Sequence, residues 1–282
     1  MQPRLHNVLS ISNTHPRDNN INFFEKDHKY VITFDTNAKY TSVTTWVHEQ
    51  FPIFDANDII NKMMKGKNWN KSNKYWGMTP EQIKEKWDDN KKLVSCAGTD
   101  LHFNIECFMN NPNLKPNYSH SDLYENINDT NINDTNNDTL EWQYFINFIK
   151  STPNFKPYRT EWCIYHEDLK IAGSIDMVYE NSDGTLSIYD WKRCKDITTV
   201  NYFNKYGLTE SVCHLHDTNF WHYALQLNIY KKILEDKYAK VIKDLFLVKL
   251  HPESTEGNYE IINIPFLENE IIKLCNERMK KV

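Results

Sequence analysis

Apolar and polar residues alternate along this chain with two different periods, and the points where one period gives way to the other outline its elements. A period of two runs through Arg159–Glu167, Ile171–Tyr179 and Leu186–Lys192, which predicts three consecutive strands. Between the second and third, Asn181-Ser-Asp-Gly184 supplies a hairpin turn, with Gly184 able to take a positive φ. Alternation on the third strand puts Leu186, Ile188, Asp190 and Lys192 on one face and Ser187, Tyr189 and Trp191 on the other. Two apolar residues followed by two charged ones predict a strand that leaves the core at the lip of a cleft, because unpaired buried charge is costly. Asp176 arrives there from the partner strand.

The period near 3.6 predicts the helices. Thr79-Pro80-Glu81-Gln82 is a start signal, with an N-cap threonine, a proline at the first helical position and a glutamine that can close a capping box. The long helix that follows carries an apolar stripe of Ile83, Trp87, Val94, Leu101, Ile105 and Phe108, and beside it Gly98, His102 and Glu106 recur every fourth residue. Asp55 and Asp58 predict a helix over Ala56–Met64, and Ser42 starts a shorter one. Asp138 with Glu141 predicts a helix to about Lys150, with Trp142, Phe145, Ile146 and Ile149 on its apolar side. Thr218–Lys237 reads as a helix with Trp221, Leu225 and Ile229 inward and His222, Gln226 and Tyr230 on an adjacent face. Phe23–Phe34 reads as a hairpin, Asp244–His251 and Tyr259–Phe266 as strands, and Leu267–Met279 as a terminal helix. Arg193–Asp217 has no period and reads as a long loop.

Two stretches read as loose. Residues 1–20 are polar, and Asn110–Asp138 is dominated by Asn, Asp, Ser and Thr, too poor in apolar surface to order itself. Deleting most of the second stretch is therefore expected to leave the thermal midpoint nearly unchanged. The resulting fold class is α/β: a mixed central β-sheet with the 159–192 strands at its heart, flanked by the 79–110 and 218–237 helices. The expected division is an N-terminal helical and hairpin extension over 1–78 and a core over 79–282, with a flexible insertion at 111–138.

Composition adds limits. The 282 residues, 40% of them hydrophobic, suffice for one sizeable core. A mean hydropathy of −0.70, no apolar run of about 20 residues and no signal-like start predict a soluble, intracellular protein without a membrane segment. The net charge of −5 argues against a uniformly basic nucleic-acid binder, so any DNA contact must come from local lysine clusters. Six cysteines, at 96, 107, 163, 194, 213 and 275, form no Cys-x-x-Cys pair, which speaks against zinc and for reduced thiols. His214-x-His216 is a weak metal pair, read rather as loop residues or phosphate contacts.

Two carboxylates, Asp176 and Asp190, and the Lys192 ammonium converging at a sheet end suit phosphodiester hydrolysis. Hard divalent cations take oxygen ligands, and a cation facing the phosphate stabilises developing charge or helps orient and deprotonate a water. Taken alone, Asp-x-Lys also fits an exposed surface ladder. His102 beside a core stripe fits either a structural residue or a ligand. Glu106 could orient its imidazole or be a surface charge, and Glu161 could reach a metal or pair with a lysine at the sheet edge.

The wider run, Gly98-Thr-x-x-His102-x-x-x-Glu106, Glu161, Gly173-x-x-Asp176, Asp190-x-Lys192 and Gln226-x-x-x-Tyr230, resembles the PD-(D/E)XK nuclease superfamily over roughly residues 95–250. Its RecB-like branch, which includes phage-type exonucleases and the mitochondrial genome maintenance exonuclease, looks closest. The resemblance implies a restriction-endonuclease-like core. It also implies that His102, Asp176, Asp190 and the Trp191 carbonyl hold one or two Mg²⁺ or Mn²⁺ ions, with Glu161 a further candidate. Lys192 is then catalytic, Gln226 and Tyr230 form the closing helical motif, and the product carries a 5′-phosphate. The clustered cysteines that hold an iron–sulfur cluster in some relatives of that branch are missing here.

Lys65, Lys67, Lys71 and Lys74 interleave with Trp69 and Trp76, giving cations for phosphates and rings that could stack on bases or pack back on the body. The expected function is a Mg²⁺- or Mn²⁺-dependent deoxyribonuclease. An exonuclease on single-stranded or end-containing DNA is favoured, acting in replication, repair or recombination. An RNA endonuclease of the same fold and a catalytically inactive nucleic-acid-binding scaffold are the alternatives.

Overall fold

The computed structural model describes residues 8–111, 117–123 and 139–282. Its centre is a six-stranded mixed sheet. Strands β4 (Lys156–His166), β5 (Ile171–Glu180) and β6 (Leu186–Lys192) run antiparallel to one another in sequence, as the period of two predicts. Beyond them β7 (Ile242–Lys249) pairs parallel with β6, and β8 (Glu260–Asn263) closes that edge antiparallel to β7. The two-residue β3 (Thr41–Ser42) pairs parallel with β5. A separate hairpin, β1 (Ile21–Phe24) and β2 (Lys29–Ile32), lies near the N-terminus.

Seven α-helices described over their whole length accompany the strands: α1 (Val8–Ser12), α2 (Val43–His48), α3 (Ala56–Lys65), α4 (Pro80–Met109), α5 (Leu140–Ser151), α6 (Asn219–Tyr238) and α7 (Glu268–Met279). The protein is thus α/β, with a mixed central sheet flanked by helices. No helix among the described residues is long and apolar enough to cross a membrane. Thr79 and Gln82 exchange the two hydrogen bonds of a capping box at the start of α4, and Asp55 caps α3. The cap of α5 is Thr139 rather than the expected Asp138, which lies outside the described residues.

β6 differs from its expected one-sided character. It is buried along nearly its whole length because helices cover both faces of the sheet there. Trp191 packs edge-on against Phe145 and Phe148 of α5, at 5.6 and 5.5 Å between centroids. Leu186 and Ile188 belong to the core shared with Leu225, Ile229 and Ile233 of α6. Asp190 is consequently 2% exposed and lies inside the fold, not at an open lip.

Contacts divide the described chain into two compact units, Ile53–Leu101 and the remainder, so that α4 contributes to both. In the smaller unit Ile83 is buried, but Val94 of the expected apolar stripe is 44% exposed. Half-buried aromatic residues pack together in it: Trp87 stands edge-on to Tyr75 and donates a 2.8 Å hydrogen bond to its hydroxyl, and Trp69 lies 5.7 Å from the exposed Trp76.

The two stretches read as loose are each partly anchored. In the first, Asp18 accepts hydrogen bonds from Arg159 Nη1 at 2.7 Å and Trp162 Nε1 at 2.9 Å, tying residues 8–20 to β4, while residues 1–7 lie outside the described set. In the second, Tyr118, His120 and Leu123 are buried, so the expectation of a dispensable insertion is corrected for residues 117–123; 112–116 and 124–138 lie outside the described residues. Three well-placed side chains suffice to anchor a segment whose average composition is polar.

His120 has partners on both nitrogens, Thr152 Oγ1 at 2.8 Å from Nδ1 and the Tyr179 hydroxyl at 3.0 Å from Nε2. The Thr152 hydroxyl spends its proton on the Phe148 carbonyl, so it accepts from Nδ1–H, and Tyr179 donates to the bare Nε2. The ring is neutral, and burial pushes its pKa down to about 3. Between that value and the ordinary 6.5 the unfolded chain binds a proton that the folded one refuses, so stability is complete above pH 6.5 and falls as pH drops. This group alone is expected to cost about 2 kcal/mol between pH 7.5 and pH 5. Urea titrations at the two pH values should show His120→Gln losing that part of the acid slope; an unchanged slope would contradict the assignment.

Candidate metal centre

Strand register places three carboxylates in succession across the sheet. Glu161 of β4 lies between the pairs Thr160–Met177 and Trp162–Ile175, and so opposite Asp176 of β5. Asp190 of β6 is the next residue past Met177–Tyr189, where the β5–β6 ladder stops. At that point Asp176 takes over from the backbone: its Oδ2 accepts the Trp191 N–H at 3.0 Å. The side chain thereby satisfies a β6 amide that has left the ladder and is itself fixed in place.

Glu161 is held in an uncommon conformation. Its φ is +42°, in the left-handed region, inside a strand. For a residue with a Cβ this costs on the order of 1–3 kcal/mol and points to a functional constraint. Ser174 Oγ donates to Glu161 Oε2 at 3.0 Å and sets the carboxylate's direction.

His102, from the later part of α4, completes the group. Its Nε2 lies 3.0 Å from the Trp191 carbonyl, which can only accept, so Nε2 carries a proton. Nδ1 faces Asp176 Oδ2 at 3.5 Å and Glu161 Oε1 at 4.0 Å. One ligand atom each from His102, Glu161 and Asp176 lies within 4.8 Å of the others. The two carboxylates repel one another unless positive charge stands between them. An imidazole with two carboxylate oxygens suits a divalent ion such as Mn²⁺ or Mg²⁺, with water filling further positions. The donor set therefore fits the expected cofactor.

Asp190 and Lys192 stand next to this group. The Lys192 ammonium lies 2.5 Å from Asp190 Oδ2, yet that buried oxygen receives no aligned hydrogen bond. Asp190 Oδ1 accepts a long bond, 3.4 Å, from Gln226 Nε2, which also lies 3.2 Å from the Tyr230 hydroxyl. Burial and the Asp176 charge push the Asp190 carboxyl above the ordinary carboxylate range, against the pull of Lys192. Burial also works against the Lys192 charge, but Asp190 and Asp176 outweigh it and raise its pKa, keeping it an ammonium. The motif glycine has a packing reason: a Cβ at Gly173 would lie 2.6 Å from Tyr230 Cε1.

Asp176, His102 and Glu161 are thus brought into one cluster, with the Trp191 carbonyl at its edge and Asp190, Lys192, Gln226 and Tyr230 beside it. Asp190 is turned to Lys192 and Gln226. The two ring nitrogens of His102 turn to Trp191 and to the Asp176–Glu161 pair. His214 and His216 turn to different partners: His214 meets Glu270 at 3.1 Å and His216 lies tilted against the Tyr206 ring, 4.6 Å between centroids. Lys65, Lys67, Trp69, Lys71, Lys74 and Trp76 all belong to the smaller unit, the lysines exposed and Trp76 46% exposed. Sequence reasoning missed Tyr223, whose ring centre lies 4.5 Å from Lys192 Nζ, and Ser174; neither stands in a spacing that singles it out.

No protein-family model matches the chain, and no characterised protein matches it in sequence.

If Glu161 accepts strain and like-charge repulsion in exchange for cation binding, Glu161→Asn should separate the two effects. Asparagine tolerates the left-handed region and is uncharged, so the metal-free variant should be about 1 kcal/mol more stable than the parent. Mn²⁺ at 100 times its dissociation constant should stabilise the parent by about 2.7 kcal/mol and the variant far less. Thermal unfolding with EDTA and with Mn²⁺ measures both; equal Mn²⁺ shifts would remove Glu161 from the ligand set.

Proposed function

We propose that this chain is a Mg²⁺- or Mn²⁺-dependent DNA nuclease of the PD-(D/E)XK type, closest to the RecB-like branch. The observation that carries the reading is the convergence of His102, Glu161 and Asp176 beside a buried Asp190–Lys192 pair. The resemblance of the motif run supports it, as does an α/β sheet that brings those motifs together in space.

In this reading His102, Glu161 and Asp176 hold a divalent ion, and the Trp191 carbonyl and Asp190 complete its surroundings. When bound, such an ion polarises the scissile phosphate and lowers the pKa of a bound water. Lys192 faces the phosphate as a fixed positive charge, offsetting the negative charge that grows as water attacks. It is better suited to that role than to taking a proton, because its neighbours keep it charged. Tyr223 holds the ammonium from the ring side, at 4.5 Å. Gln226 and Tyr230 hold the Asp190 end of the pair in position.

Exposed Lys65, Lys67, Lys71 and Lys74, with Trp69 and Trp76, would grip the DNA backbone and stack on unpaired bases, which favours single-stranded or end-containing substrates. A duplex hides its base faces from such a surface.

Cleavage should require Mg²⁺ or Mn²⁺ and stop with EDTA. Asp190→Ala and Lys192→Ala should each lower the rate at least a hundredfold while the chain still folds. The assay compares linear single strands, single-stranded circles, linear duplex and closed duplex circles, with an RNA strand alongside. Full activity in Asp190→Ala, with contaminating nuclease excluded, would sink the site assignment. Cleavage of RNA alone would move the substrate to RNA. Binding without cleavage of any substrate would leave a nucleic-acid-binding scaffold.

A further inference from the structure

A groove of about 950 Å³ opens beside the carboxylate cluster and reaches it through Glu161. β4 lines one side of it, with Thr160 next to Glu161. The β1 strand lines another with Asn22, Phe23 and Phe24, and the segment after α1 contributes Asn19. Its size falls at the upper end of the range, about 300–1,000 Å³, in which proteins hold small organic molecules.

Charge decides what can enter. Arg159 is the one Lys or Arg among the described residues lining the groove, and Asp18 holds it at 2.7 Å. His15, also in the lining, has its pKa lowered by burial. Glu25, Glu106 and Glu161 add negative charge. A phosphate chain is repelled by such a lining, whereas a neutral ring with polar edges is not. Phe24 is 52% exposed and offers a ring face, and the exposed amides of Asn19 and Asn22 present donors and acceptors of the kind that meet base edges.

We propose that this groove is a nucleobase subsite, taking the unpaired base of the nucleotide whose phosphate lies at His102, Glu161 and Asp176, with Phe24 stacking on it and Asn19 and Asn22 meeting its edge. The placement of the phosphate rests on the nuclease reading; the affinity of the groove for a base does not. A base in a duplex is stacked on both faces and paired along its edge, so only an unpaired one can enter. The groove thus gives a reason for end or single-strand preference separate from the Trp69 and Trp76 surface.

The test is a fluorescence titration with 2-aminopurine deoxyriboside, which needs neither metal nor cleavage. The full chain should give a saturable change. Phe24→Ala should weaken it at least fivefold and Asn22→Ala at least twofold, both with unaltered thermal midpoints because both side chains are exposed. Absence of saturable binding, or binding equal in both variants, overturns the subsite; so does binding lost in Trp76→Ala but kept in Phe24→Ala. Cleavage assays then keep the two ideas apart. Phe24-dependent binding without any metal-dependent cleavage would uphold the groove and defeat the nuclease reading, while cleavage without Phe24-dependent binding would do the reverse.

Discussion

Negative charge held at one place in a buried sheet is the constraint on which the rest of this structure depends. Glu161, Asp176 and Asp190 follow one another across β4, β5 and β6, and like charges opposed across strands destabilise a sheet. Burial makes the repulsion worse by removing water. Each neighbour of the row can be understood as a response to it. The Trp191 amide bonds to Asp176, Ser174 bonds to Glu161, and Lys192 sits against Asp190. His102 turns Nδ1 toward the Asp176–Glu161 side, where a bound cation would offset the carboxylate charge.

The surrounding fold keeps that arrangement from relaxing. α5 and α6 cover the two faces of β6, so Asp190 cannot turn outward to water. Gln226 and Tyr230 come down from α6 onto the same pair, and Tyr230 can approach because Gly173 has no side chain. From the other end, Asp18 ties the N-terminal segment to Arg159, two residues before Glu161, and to Trp162, one after it. The strained φ of Glu161 is thereby over-determined by its surroundings, which is the condition under which such strain persists.

Much of the sheet was legible because its strands alternate cleanly and its turns carry Asn, Asp and Gly. The helix caps at Asp55 and Thr79 were legible for the same local reason. Asp176, Asp190 and Lys192 could be brought together from period-two geometry and one hairpin turn. What could not be read was set by contacts distant in sequence. His120 is buried because Thr152 and Tyr179 receive it, although its own stretch is polar. β6 is covered on both faces because helices from elsewhere arrive, so its charged end reads as exposed when it is not. Glu161 enters the cluster through a backbone conformation that no residue-type preference announces. Tyr223 lies under Lys192 by virtue of helix rotation, and its position one step off the Gln226–Tyr230 spacing hides it.

Direct location of an ion tests the account most simply. Crystals grown with Mn²⁺ and measured at wavelengths where manganese scatters anomalously would show where the cation sits. A peak within about 2.0–2.4 Å of His102 Nδ1, a Glu161 oxygen and an Asp176 oxygen is the expected result. A cluster without a peak under saturating Mn²⁺, or a peak held by other residues while Glu161 and Asp176 keep their places, would contradict it.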